Sequence, residues 1–162
     1  MREKSKMKLI RYLKGDATQP QINGNKIIAH ICNDIGGWGK GFVLALSARW
    51  KKPEHDYREW YRLRKDFDLG AVQFVAVESD IWVANMIGQH DIKTKNNVPP
   101  IRYEAVRSCL AKVADQAVDL NASVHMPRIG CGLAGGQWEK VEPLISEELG
   151  EKDVQVIIYD LQ

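Results

Sequence analysis

The chain has 162 residues, a net charge of +2, 44% apolar residues and 27% charged ones. A length of this order fits one domain and leaves too little for a second core, and folding buries roughly 70% of the surface of the unfolded chain. So small a net charge gives no ground for nucleic-acid binding, and the composition is that of an ordinary globular protein, not of a disordered or fibrous one.

Residues 1–7, with Arg2, Lys4 and Lys6, and with Lys8 next after them, read as a flexible, solvated lead, and residues 8–162 as a single domain. Lys8 to Leu13 predicts a strand ended by Gly15-Asp16. Lys26 to Ile31 is a short β-branched apolar run, hence a buried strand, and Cys32 to Gly41 is a glycine-rich loop. Gly41 to Trp50 reads as a helix stopped near Pro53. Glu54 to Phe67 reads as a second helix, with Tyr57, Trp60 and Tyr61 turned to the core. Ala71 to Val77 and Ile81 to Ile87 predict two strands joined by Glu78-Ser79-Asp80.

Gly88 to Pro100 is polar, ends in a Pro-Pro pair and marks a surface loop. Ile101 to Leu120 predicts the longest helix, with Val106, Leu110, Val113 and Ala117 on one face. A short strand at Ser123 to Met126 leads into a second glycine-rich loop, Arg128 to Gly136. Gln137 to Leu149 then reads as a helix and Val154 to Tyr159 as a closing strand. This alternation predicts a three-layer α/β/α fold around a mixed sheet of about six strands. Both glycine-rich loops follow strands, which places them together at the carboxyl end of the sheet, where open sheets bind ligands.

Cys32, Cys109 and Cys131 are an odd number without a CxxC pair, which argues for a reducing compartment and no disulfide framework. His30, His55, His90 and His125 lie far apart, so neither a metal nor a cofactor is expected. No apolar stretch approaches the roughly 20 residues of a membrane span, and no signal peptide is visible. A cytoplasmic protein without membrane contact is the expectation.

The late loop, Arg128-Ile129-Gly130-Cys131-Gly132-Leu133-Ala134-Gly135-Gly136, runs into a helix. Its glycines allow successive N–H groups to converge on an anion, and the helix adds its free donors and positive dipole end. Gly130, Gly132 and Gly135 also satisfy a dinucleotide-binding pattern, with Asp160 as the ribose-binding acid, yet the chain ends two residues after it, with no substrate half to follow. The early loop fails as a P-loop, because Asp34 stands at the first glycine and Gly41 at the serine or threonine.

Three pieces carry a resemblance. They are Lys14-Gly15-Asp16, then His30-Ile31-Cys32-Asn33 with Gly36 to Gly41, and Met126 to Leu133 followed by Trp138-Glu139. Together they resemble the macrodomain family, which binds ADP-ribose, over Leu9 to Leu161. The pattern is nearest to two branches, the fungal ADP-ribose 1''-phosphate phosphatases and the terminal ADP-ribose–protein glycohydrolases.

The resemblance implies that Asp16 accepts a hydrogen bond from the adenine amino group and that Asn33 holds the distal ribose. Gly39, Lys40 and Gly41 would wrap the distal ribose and diphosphate through backbone donors. Ile129, Gly130, Cys131, Gly132, Leu133 and Ala134 would cradle the diphosphate, and Tyr159 would flank the adenine. His30 would be the catalytic group, and an ordinary imidazole pKa of about 6.5 suits it to orient or deprotonate water. Read without the resemblance, Asp16 and Asn33 serve equally as turn residues, His30 as a buried strand histidine and Tyr159 as a core tyrosine.

The implied activity is removal of the terminal phosphate from ADP-ribose 1''-phosphate. A non-catalytic reader of ADP-ribose or ADP-ribosylated protein, and a hydrolase of another conjugate such as O-acetyl-ADP-ribose, remain open. The glycohydrolase branch uses a lysine after the fourth strand and an aspartate after Gly-Cys-Gly-Leu. Here Ala134 takes the aspartate position, Asn85 to Gln89 contains no lysine, and Lys93 and Lys95 lie farther along.

Overall fold

Strand β2, Asn25–Asn33, is the apolar run that the sequence marks as buried, and it lies inside the sheet with helices over both faces. That covering is why its pattern is continuous rather than alternating. The computed structural model describes residues 10–161; the expected lead at 1–7 lies outside the described residues. The other strands are β1 (Ile10–Lys14), β3 (Val72–Glu78), β4 (Ile81–Gln89), β5 (Ala122–Met126) and β6 (Val156–Asp160). The helices are α1 (Phe42–Arg49), α2 (Lys52–Leu63), α3 (Tyr103–Leu120) and α4 (Trp138–Gly150).

The six strands lie in the order β1-β6-β5-β2-β4-β3. Neighbours are parallel except β3 and β4, which form an antiparallel edge. Side chains of β2 alternate between two cores. Ile27 and Ala29, with Ala84 and Met86 of β4, pack under Val106, Leu110 and Val113 of α3 and Val141 and Ile145 of α4. Ile28 and Cys32, with Val83 and Ile87, face Leu46 of α1 and Tyr57 of α2. The α/β/α layering expected from the sequence is thus the observed one.

The boundaries differ in instructive places. β2 and β4 each run two residues past the expected ends, because their parallel ladder continues to Asn33 opposite Gln89. Pro53 does not stop α1. It sits in the first turn of α2, where the missing N–H costs nothing, and α1 ends as Trp50 turns extended. α2 stops at Leu63 rather than Phe67, because Arg64 adopts a left-handed φ of 57° and closes the helix on the Trp60 carbonyl. Phe67 folds back against Tyr57, Trp60 and Tyr61, whose expected core role holds.

Candidate functional site

β2 and β5 are parallel neighbours near the centre of the sheet. After β2 the chain leaves for α1 on one face, and after β5 it leaves for α4 on the other. Departures to opposite faces open a crevice between adjacent strand ends, the general ligand position in open α/β sheets. Both glycine-rich loops stand at that crevice.

The early loop is built around Asn33. Its Oδ1 accepts from the N–H groups of Ile35 and Gly37 at 3.0 and 2.9 Å, and its Nδ2 donates to the Gly37 carbonyl at 2.9 Å. Asn33 is therefore a buried turn residue here, its oxygen committed to the loop. Gly36 has a φ of 77°, and a Cβ built on it would lie 2.4 Å from the Tyr61 ring, so only glycine fits. Gly39 meets nothing within 4 Å. Among the described residues the N–H groups of Gly39, Lys40 and Gly41 donate to no protein acceptor, and they lead straight into α1.

The late loop repeats the arrangement. Gly136 and Gly135 close it by donating to the Gly130 and Gly132 carbonyls at 2.7 and 3.0 Å. Gly130 has a φ of 73° and faces Ile101, where an added Cβ would lie 2.5 Å from Cδ1. Ile129 and Ala134 are buried, and the half-buried Cys131 turns its thiol to the Ile129 carbonyl at 3.4 Å. Burial pushes that thiol above its usual pKa. Among the described residues the N–H groups of Gly132, Leu133 and Ala134 have no protein acceptor. The loops meet where Leu133 Cδ1 lies 3.8 Å from a Cβ built on Gly41.

The segment between β4 and α3, expected to be a plain surface loop, ties the two loops together. Asp34 of the early loop lies 2.7 Å from His90 Nδ1 and accepts from the Asp91 N–H at 2.8 Å. At the other end Ile101 N–H donates to the Ala134 carbonyl at 3.0 Å, and Pro99 abuts Gly135. The Pro99-Pro100 pair was the sequence signal for this stiff strut.

His30 lies beneath the early loop, 2% exposed, its ring 5.3 Å from Trp38 and 5.9 Å from Phe42. Nε2 is 2.5 Å from Asn85 Oδ1. Nδ1 is the one buried side-chain nitrogen or oxygen without a partner among the described residues. Leaving a buried acceptor unpaired costs about 1–3 kcal/mol. Burial pushes the pKa down to about 4 against a smaller opposing effect of Asn85, so the ring is neutral at pH 7. Phe42 and Asn85 were not picked out from the sequence. The available signal was Asn85 itself, a lone amide in the apolar run Ile81 to Ile87.

The remaining expected residues flank this core of the site. Asp16 Oδ1 accepts from the Thr18 N–H and hydroxyl, both at 2.8 Å, in a turn after β1. Tyr159 is 4% exposed and its hydroxyl pairs with His125 Nδ1 at 2.7 Å, the core role open to it from the sequence. Asp160 is held by Arg128 at 2.6 and 3.0 Å, and that guanidinium keeps its carboxyl below the usual range. A carboxylate so engaged does not stand free for a ribose. Lys93 and Lys95 are exposed, with Lys95 3.2 Å from Asp91.

The fold and this crest define a three-layer α/β/α protein with paired glycine-rich loops at the switch point of its sheet. No family model matches the chain. A macrodomain protein from Streptomyces coelicolor is 59% identical, with 93% of this chain and 98% of that one covered and a TM-score of 0.85. A protein of unknown function from Bacteroides thetaiotaomicron is 62% identical over 94% and 98% of the two chains, with a TM-score of 0.93. The ADP-ribose 1''-phosphate phosphatase of Saccharomyces cerevisiae is 40% identical across 96% of this chain and 100% of its own. The chain belongs to the macrodomain family. It also matches the chromodomain-helicase-DNA-binding protein 1-like of Danio rerio at 34% identity, spanning 15% of that protein's length.

Proposed function

We propose that this protein binds ADP-ribose and its derivatives at the crest and removes the terminal phosphate from ADP-ribose 1''-phosphate. The reading is carried by the unpaired N–H groups of Gly39 to Gly41 and of Gly132 to Ala134 on two loops that meet at Gly41 and Leu133. Hydrogen bonds to a charged acceptor contribute about 1.5–3 kcal/mol each, so a few of them suffice for micromolar affinity. The late loop takes the diphosphate, Gly39, Lys40 and Gly41 take the distal ribose and its phosphate, and Asp16 and Tyr159 lie toward the adenine.

In the reaction a water oxygen bonds to phosphorus and the bond from phosphorus to the ribose 1''-oxygen breaks. The water's proton ends on that oxygen, leaving ADP-ribose and phosphate. His30 is neutral at pH 7 and weakly basic, which suits it to accept a hydrogen bond from the water and orient it. Trp38 and Phe42 pack against the ring and shield it from bulk solvent.

A second reading, a non-catalytic reader of ADP-ribosylated protein, is favoured by Ala134, which brings no carboxylate to the late loop. A hydrolase of another ADP-ribose conjugate is the third. The three free cysteines, two of them buried, fit a reducing cytoplasm. Calorimetric titration with ADP-ribose, followed by counting phosphate released from ADP-ribose 1''-phosphate, separates the phosphatase from the other two. The expected result is micromolar binding, with phosphate release lost in His30→Ala and binding kept. Binding without turnover selects the reader or the other conjugate, and no binding overturns the proposal.

A further inference from the structure

The neighbours of His30 decide which of its nitrogens can act. Gln73 Nε2 donates to the Asp56 carbonyl at 3.0 Å, which turns Gln73 Oε1 toward Asn85. Asn85 Nδ2 donates to that Oε1 at 3.0 Å and to the Pro53 carbonyl at 3.2 Å. Backbone carbonyls accept only, so flipping either amide would set oxygen against oxygen. Asn85 Oδ1 is thereby an acceptor facing His30 Nε2, and Nε2 must carry the proton. In a neutral imidazole that leaves the lone pair on Nδ1, the atom with no partner.

We propose that Asn85 and Gln73 are positioning residues that lock His30 in its Nε2–H tautomer and hold Nδ1 as the acceptor beneath the early loop. The relay starts from the backbone of α2, at Pro53 and Asp56, and crosses β3 and β4 to reach β2. It is purely local and acts through His30 alone. Its catalytic meaning rests on the phosphatase reading above, but the tautomer does not.

The test is a long-range proton–nitrogen NMR correlation on the full ¹⁵N-labelled chain at pH 7, read at His30. The wild-type spectrum should show a protonated Nε2 and an unprotonated Nδ1. A proton on Nδ1 overturns the proposal whatever the activity. Asn85→Leu removes the acceptor and should give mixed tautomers, with phosphate release down about 100-fold and ADP-ribose affinity kept. Asn85→Asp keeps an acceptor and should keep the tautomer. Its carboxylate favours the imidazolium, so the acid limb of the pH–rate profile should move upward. An unmoved limb, or an unchanged tautomer in Asn85→Leu, overturns the proposal. Should Asn85→Leu fail to fold, the wild-type spectrum remains decisive. Full phosphate release in His30→Ala defeats the catalytic role of His30 while leaving the tautomer result standing, and no phosphate release by the wild-type protein defeats the phosphatase reading.

Discussion

The Tyr57 hydroxyl lies 2.6 Å from the Asn33 carbonyl and 2.9 Å from its Oδ1. Burial pushes this phenol up, so it stays a donor at every working pH. Through that contact the fully buried ring of α2 holds down the turn that begins the early loop. Tyr57→Phe leaves the Asn33 carbonyl without its donor, which should cost about 1–2 kcal/mol. Thermal melts should show a midpoint lower by roughly 3–6 °C. ADP-ribose binding should weaken as the loop loosens, and an unaltered melt would mean that the contact carries nothing.

Glycines of the late loop should divide into two kinds. A Cβ on Gly132 meets nothing within 4 Å, so Gly132→Glu should fold normally while setting a carboxylate at the phosphate position. Its ADP-ribose affinity should drop by more than about 100-fold, as like charges at close quarters cost several kcal/mol. Gly130→Ala should do the reverse. With a φ of 73° and a Cβ 2.5 Å from Ile101 it should lose roughly 2–4 kcal/mol of stability. Normal ADP-ribose titration of Gly132→Glu would show the phosphate loop to be misplaced.

Stability should fall in mild acid. Burial pushes both His30 and His125 down to about 4 in the folded protein, against about 6.5 unfolded. Between those values the unfolded chain takes up protons that the fold refuses. These two groups therefore leave stability intact above pH 6.5, erode it as the pH drops toward 4, and change nothing further below that. The erosion is on the order of 3 kcal/mol per histidine at the bottom of the window. Urea midpoints measured from pH 7 to pH 4 check it, and a flat series would contradict the burial of both rings.

Lys93 and Lys95 stand exposed on the strut, and Lys95 lies 3.2 Å from Asp91. Lys93→Ala and Lys95→Ala should each keep phosphate release within about threefold, as exposed substitutions usually do little. Loss of turnover in either would point to lysine chemistry instead.

The order of strands and helices was legible because β2 and β4 are mostly apolar and the glycine clusters punctuate them. The two loops could be placed together because both follow strands. Burial of His30 was not legible, since its cover comes from Trp38 in the loop and Phe42 just past it, and its short hydrogen bond comes from Asn85 of β4. The strut hid for a similar reason. Its polar sequence describes solvent exposure truly, while Asp34–His90 and Ile101–Ala134 join residues far apart in the chain.

Gly39 and Gly132 are glycines for which the architecture has no use, since a methyl group at either meets empty space without backbone strain. A lineage that had given up the ligand could drift to alanine or serine there at no structural penalty. Gly36 and Gly130 would stay fixed in the same lineage, because Tyr61 and Ile101 demand it. Comparing how freely the two pairs vary among natural relatives thus offers a gauge of inherited binding that needs no purified protein.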